Sequence, residues 1–284
     1  MDNFEKNITF VIVSFRSGHI IEKCIKSISP NAKIFVVENS ENIEVKTYLE
    51  NKFSNVEVVI AQGNLGYGKG NNLGVSKVKT QYAFILNPDT ILAVNCLKKI
   101  YVAQKTLKDN FTILAPNFLN NYGYCSEKSH YFESEILEVD YVKGFAMLIN
   151  LKNIVFSKIF DENFFLFLEE IDLCKRIKDI GGKIFVVENA TVQHLAKQAS
   201  GDSFNIELCR NWHWMWSLFY YNHKHFGILK AYKITIPKFI SSMLKLILAL
   251  MLLNKTKFLV HYYRLHGLIN AFLKNPSWLR PDNI

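Results

Sequence analysis

The chain has 284 residues and is 49% hydrophobic, enough for one large domain or a domain with an appendage, and too apolar for disorder. Its net charge of +9 comes entirely from residues 204–284, with 11 Lys and Arg against 2 Asp and Glu; residues 1–203 hold 23 of each. Five scattered cysteines (Cys24, Cys96, Cys125, Cys174, Cys209) without a Cys-x-x-Cys pair argue against a zinc cluster or a disulfide framework and fit a reducing compartment.

Met1–Asn7 carries Asp2 and Glu5 and lacks the pattern of a secretory signal. Residues 8–15, rich in β-branched side chains, predict a buried strand. Residues 20–28 have helical spacing and stop before Pro30. Strand 33–39, helix 45–53 and strand 56–60 follow. Strand, helix, strand, helix, strand is the pattern of a parallel sheet with crossover helices, whose ligands bind beyond the carboxyl ends of the strands. Ser14, Phe15, Glu38, Asn39 and the loop after Ile60 are therefore expected to line one site.

That loop holds five glycines between Gly63 and Gly74, with a helix expected through Leu73, Val75 and Val78. Such a loop suits close approach to phosphate, or is a surface turn; it is neither a P-loop nor a dinucleotide fingerprint. Strand 81–86 leads into Asn87-Pro88-Asp89, where Asp89 is either a cation ligand at a strand end or a turn residue. A helix is expected over 92–107, a covering loop over 117–134 and a strand region over 139–149 broken by Gly144.

Residues 160–176 put Glu169, Glu170 and Asp172 within four positions, after Phe164, Phe165 and Phe167. A helix dipole accounts for one or two acids there; a pocket wall with an activated carboxylate accounts for all three. Strand 183–187 precedes His194, which is structural or a ligand. From Phe204 the chain is basic and aromatic, and residues 239–253 are strongly apolar. Pro237, Lys238 and Lys245 interrupt a bilayer-spanning run, so an interfacial helix on an anionic membrane is expected, or a helical subdomain; the aliphatic run 244–253 argues against nucleic acid.

In order and spacing, Val36-Val37-Glu38-Asn39-Ser40, Asn64-Leu65-Gly66 with Asn71-Asn72-Leu73-Gly74, Leu86-Asn87-Pro88-Asp89-Thr90, Phe160-Asp161-Glu162 and Phe165 through Cys174 resemble the family 2 glycosyltransferases of the GT-A fold, most closely the bacterial rhamnosyltransferase-like branch. The resemblance covers about residues 8–200. It implies a mixed, mainly parallel α/β sheet with helices on both faces over 1–203, and a membrane-associating helical region over 204–284. It implies inverting transfer of a sugar, by best fit rhamnose from dTDP-rhamnose, to a saccharide acceptor that is lipid-linked, for cell-surface polysaccharide. The other readings are a UDP-hexose or UDP-HexNAc donor, and a silent nucleotide-sugar-binding scaffold. The enzyme would be cytoplasmic, peripheral at the inner membrane face, and compatible with a homodimer.

The resemblance also distributes roles. Asp89, where many members carry Asp-x-Asp, would bind Mg2+ or Mn2+, with His194 near the metal or diphosphate. Glu38 stands where an Asp usually meets base and ribose, and Ser14, Phe15, Asn39, Asn64, Gly66, Lys69, Asn72 and Asn87 complete the nucleotide set. Glu170 stands where the family usually has Asp as general base, which leaves the base open among Glu170, Glu169 and Asp172.

Overall fold

The computed structural model describes residues 2–118, 130–133, 135–195 and 203–284. They divide into two compact units, residues 1–161 with 170–201, and residues 162–169 with 202–284.

In the first unit a short helix α1 (Asp2–Glu5) precedes β1 (Ile8–Ser14), buried at every residue. Then come α2 (Ile21–Lys26), β2 (Lys33–Glu38), α3 (Ile43–Lys52) and β3 (Val56–Ile60). The three strands pair in parallel, with Ser14 beside Glu38 and Glu38 beside Ile60, so the expected strand ends do lie side by side. Helix α4 (Tyr67–Val75) starts inside the glycine run rather than after it. The glycines are what allow this: a Cβ at Gly74 would sit 2.3 Å from Val11 Cγ1, so α4 rests directly on β1.

Strand β4 (Tyr82–Leu86) is followed by a short β5 (Thr90–Leu92), where a helix was expected from Leu92; α5 (Cys96–Leu107) begins only after Asn95, at φ 72°. Next are β6 (Ile113–Phe118), β7 (His130–Glu133), β8 (Ile136–Glu138) and β9 (Ala146–Asn150). The expected strand region 139–149 is thus two strands, β8 and β9, separated by residues 139–145 around Gly144. The expected covering loop 117–134 lies mostly outside the described residues. Helix α6 (Glu169–Asp179) and a long β10 (Ile184–His194) complete the unit.

The sheet order is β3-β2-β1-β4-β9-β6-β10-β8-β7, and β5 pairs with β10 off this path. β9 runs antiparallel to β4 and β6, which makes the sheet mixed. Alternate residues feed two cores. Phe10, Ile12 and Phe84 face Cys24, Leu49 and Ile100, whereas Val11, Ile85 and Met147 face Phe160, Leu173 and Ile177. Helices therefore cover both faces, and each fully buried side chain of this size contributes about 1.5–3 kcal/mol.

The second unit contains α7 (Phe204–Phe226), α8 (Ile228–Met251) and α9 (Lys255–Phe272). Trp212, Met215, Trp216, Phe219 and Leu268 form its core. A Cβ at Gly267 would lie 2.3 Å from the Trp212 carbonyl oxygen, so α7 and α9 touch through backbone. Residues 162–169 join this unit rather than the expected 1–203 domain. Helix α8 runs through Pro237 without ending; its 24 residues are long and apolar enough to cross a membrane by length and composition. Only Ala231, Thr235, Ser242 and Ala249 of α8 are buried, a narrow stripe of small residues.

Candidate active site

The carboxyl ends of β1, β2 and β4 carry a concentration of buried acceptors that accept no hydrogen bond from the described residues. Ser14 Oγ, Glu38 Oε2, Asn39 Oδ1, Asn87 Oδ1, Asp89 Oδ1 and Thr90 Oγ1 all belong to this group. Ser14, Glu38 and Thr90 are wholly buried. A buried polar atom without a partner costs about 1–3 kcal/mol, so a chain that keeps six together has a site for a ligand rich in donors or cations.

Local bonds aim these groups. Glu38 Oε1 accepts from Ser40 N at 2.8 Å and from the Ser40 hydroxyl, which fixes the carboxylate and leaves Oε2 over. Asn39 N donates to the Ser14 carbonyl at 2.7 Å, and Asn39 Nδ2 donates to the Gly66 carbonyl at 3.0 Å. That second bond ties the strand ends to the glycine loop. Gly66 itself, at φ 77°, donates its N–H to Asn64 Oδ1 at 3.0 Å, an Asx turn leading into α4. Lys69 is exposed on the first turn of α4, and Phe15 is half-buried beyond β1, with the Arg16 guanidinium 5.0 Å from its ring.

Asn72 is placed differently from the expectation. Its Nδ2 donates to the Phe160 carbonyl at 2.8 Å, and its Oδ1 accepts from Phe160 N at 2.9 Å. Both ends of the amide clamp backbone 88 positions away, so the side chain holds the Phe160 segment rather than facing a nucleotide.

Asp89 is 2% exposed, and His194 Nε2 lies 3.2 Å from its Oδ1. Antiparallel pairing of β5 with β10 sets this distance, since His194 is opposite Thr90 and Leu195 N donates to the Asp89 carbonyl at 2.9 Å. The imidazole stacks on Phe145, centroids 5.0 Å apart, with Phe118 at 6.1 Å. An oxygen and a nitrogen at this separation fit neighbouring positions on a small octahedral cation, where bonds of about 2.1 Å put adjacent donors about 3 Å apart. No group of three His, Cys, Asp or Glu occurs among the described residues.

The third part is the start of α6. Phe167 and Leu168, at φ 70° and 67°, take left-handed conformations just before it. Bulky residues held there cost about 1–3 kcal/mol each, and such strain gathers where a side chain must be aimed. Glu169 is 5% exposed at the first helical position. Glu170 is half-buried; desolvation pushes its carboxyl above the usual range, against its own N–H, the Lys143 charge and the Ile171 N–H. A carboxylate made more basic in this way suits a proton acceptor. Asp172 does not, because it is wholly buried and accepts from Arg176 Nε at 2.8 Å. Arg176 also donates to the Ile159 carbonyl and covers the Phe156 ring at 4.5 Å. Asp172 anchors this segment.

The Asp89–His194 pair and Glu170 are linked through Phe145, which the sequence reading passed over, and Gly144, which it noted only as a strand break. Asn87 N donates to the Phe145 carbonyl at 2.9 Å, and the Phe145 ring carries His194. A Cβ on the adjoining Gly144 would lie 3.4 Å from both Glu170 Cβ and Tyr67 Oη, and that hydroxyl donates to the Gly144 carbonyl. The one signal in the sequence was the glycine interrupting an apolar strand.

The model of glycosyl transferase family 2 matches residues 9–146. Over those residues the chain is similar to the family 2 glycosyltransferases. The hexosyltransferase Agl10 of low-salt glycan biosynthesis in Haloferax volcanii is 25% identical over 195 residues, covering 61% of this chain and 62% of its own length. The chain thus spans less than two thirds of that relative. The rhamnosyltransferase WbbL of Escherichia coli K12 is 24% identical over 232 residues, covering 70% of this chain and 87% of its own length. Among solved structures, the mannosyltransferase PcManGT of Pyrobaculum calidifontis, in complex with GDP-Man and Mn2+, superposes with a TM-score of 0.57 at 10% identity, covering 94% of this chain and 87% of that one. TarS 1–349 of S. aureus gives 0.52 at 12% identity, covering 94% and 92%. These likenesses are of fold, and they show the GT-A architecture. The segment that matches the family ends at Ala146, so Phe145 lies inside it and Glu170 and His194 lie beyond it.

Proposed function

We propose that the protein is an inverting glycosyltransferase that moves a sugar from a nucleotide-diphosphate donor to a saccharide hydroxyl. The observation that carries the reading is the set of buried, unbonded acceptors at the strand ends beside the Asp89–His194 pair, joined through Phe145 and Gly144 to Glu170. Glu38 Oε2 and Asn39 Oδ1 accept from the ribose hydroxyls and base of the nucleotide. Asp89 and His194 would hold Mg2+ or Mn2+, and a cation bound there would offset the charge of the departing diphosphate. Glu170 takes the acceptor hydroxyl proton as the new C–O bond forms on the face opposite the diphosphate. The old C–O bond breaks with its electron pair going to the nucleoside diphosphate, so the anomeric configuration inverts.

The E. coli relative's name supports rhamnose, drawn from dTDP-rhamnose, and both relatives' names support glycan synthesis. A UDP-hexose donor is the second reading, favoured by the UDP bound in the TarS structure. A panel of dTDP- and UDP-sugars with Mg2+ or Mn2+, scored for released nucleotide, separates the two. No turnover of any donor, with nucleotide binding retained, would instead favour a silent binder.

The acceptor in this reading is lipid-linked, and the second unit docks peripherally on the inner face of the cytoplasmic membrane. Helix α8 supports this with Leu244 at 59%, Leu248 at 54% and Met251 at 76% exposure, and with exposed Lys230, Lys233, Lys238 and Lys245. Each such cation near an anionic surface contributes about 1 kcal/mol. Flotation with anionic and neutral vesicles tests it.

A further inference from the structure

We infer that the last ten residues, Asn275–Ile284, position the catalytic carboxylate, a role distinct from any membrane contact of the basic region. The idea rests on Glu170 as the proton acceptor. Five positions before it, Phe165 is 5% exposed beneath the Arg280 guanidinium, which lies 3.8 Å from the ring centroid. Arg280 Nη1 is fixed in turn by the carbonyls of Ser277 at 2.8 Å and Leu279 at 2.9 Å. Ser277 Oγ donates to the Asn163 carbonyl at 2.5 Å. Two side chains of the tail therefore grip the start of the aromatic run, at Asn163 and Phe165.

The rest of the second unit holds the same segment. Ser217 Oγ donates to the Leu166 carbonyl at 2.9 Å, and Asn163 Nδ2 donates to Tyr220 Oη at 3.0 Å. His213 packs on Phe165 at 4.5 Å and donates from Nε2 to the Leu279 carbonyl at 2.8 Å. Burial of that imidazole lowers its pKa to about 3, so it is a neutral spacer between tail and segment. Trp216 Nε1 closes the arrangement on the Asn275 carbonyl at 2.9 Å.

The physical reason for so much bracing is the backbone that follows. Phe167 and Leu168 hold left-handed conformations that bulky residues leave when released, and the chain passes from them directly into Glu169 and Glu170. Partial burial of a guanidinium is unfavourable unless a ring face and carbonyls receive it. Here they do, on the segment that leads into α6.

The test uses the full chain. Arg280→Ala, Arg280→Lys and Ser277→Ala are compared by hydrogen–deuterium exchange and by dTDP-rhamnose hydrolysis with Mn2+, read as released dTDP. Exchange over residues 162–172 should rise in Arg280→Ala and, less, in Ser277→Ala, while residues 8–118 keep the parent pattern. Where hydrolysis is measurable, Arg280→Ala should lose about 100-fold in kcat with KM nearly constant, as for a reacting group moved by about 1 Å. Arg280→Lys, which keeps a cation over the ring, should fall between. Parent-like exchange over 162–172 in Arg280→Ala would overturn the inference, as would a raised KM at unchanged kcat. If Glu170→Gln retains full turnover, the base assignment fails and not the bracing, which exchange still decides.

Discussion

The ring of His194 lies face to face with that of Phe145, 5.0 Å apart and 15° from parallel, while the Phe145 carbonyl binds the N–H of Asn87 at 2.9 Å. One residue thus orients His194 and the turn that carries Asp89. Phe145→Ala should leave the fold intact and weaken Mn2+ binding about tenfold, the scale of losing an outer-sphere support. Calorimetric Mn2+ titration with a nucleoside diphosphate present checks this. An unchanged affinity would separate His194 from the metal.

Glu170→Gln should lower turnover by about 100- to 10,000-fold while leaving nucleotide binding as it was, since only the proton acceptor is removed. The acid limb of the parent's kcat profile should lie above the ordinary glutamate range, because burial raises this carboxyl. Lys143→Met, which removes a charge favouring the ionised form, should move that limb higher still.

The same shift has a signature in stability. The folded state holds the Glu170 proton to higher pH than the unfolded chain does, so ionisation works against folding. Parent stability should fall, relative to Glu170→Gln, as pH rises from the ordinary glutamate pKa through the raised one. Urea midpoints of both proteins across that interval check the sign.

Asp172→Asn should act on stability. Removing one partner from the buried pair with Arg176 at 2.8 Å should cost about 3–5 kcal/mol, seen as an earlier urea midpoint. Folded Asp172→Asn protein that binds nucleotide but has lost turnover as completely as Glu170→Gln would return Asp172 to the chemistry.

The double substitution Leu244→Ser with Leu248→Ser should abolish flotation with anionic vesicles and leave donor hydrolysis unaltered. Removing residues 204–284 should instead end both, because that deletion also takes away the support of residues 162–169. Loss of hydrolysis in the double variant would place those leucines inside the enzyme's own packing.

Much of this protein is local and therefore legible in the sequence. Near-continuous apolar, β-branched runs in 8–15, 33–39 and 56–60, each followed by a helical or turn segment, specify parallel strands, and parallel strands put Ser14 and Glu38 at one rim. Asn87-Pro88-Asp89 and the acids at 169–172 announce themselves by composition. What folding alone decided are relations between distant segments. Leu92 reads as the start of a helix until β10, a hundred residues on, supplies a pairing partner. Asn72 looks like a ligand contact until Phe160 takes both ends of its amide. Asp172 and Glu170 are equal candidates by type, and Arg176 one helical turn later, with the backbone of Ile159, separates them. Residues 162–169 adjoin the catalytic helix in sequence and pack with the carboxyl-terminal helices in space. Periodicity and propensity act over a few residues, whereas the state of a buried polar group depends on whichever atoms the completed fold brings within about 3 Å of it.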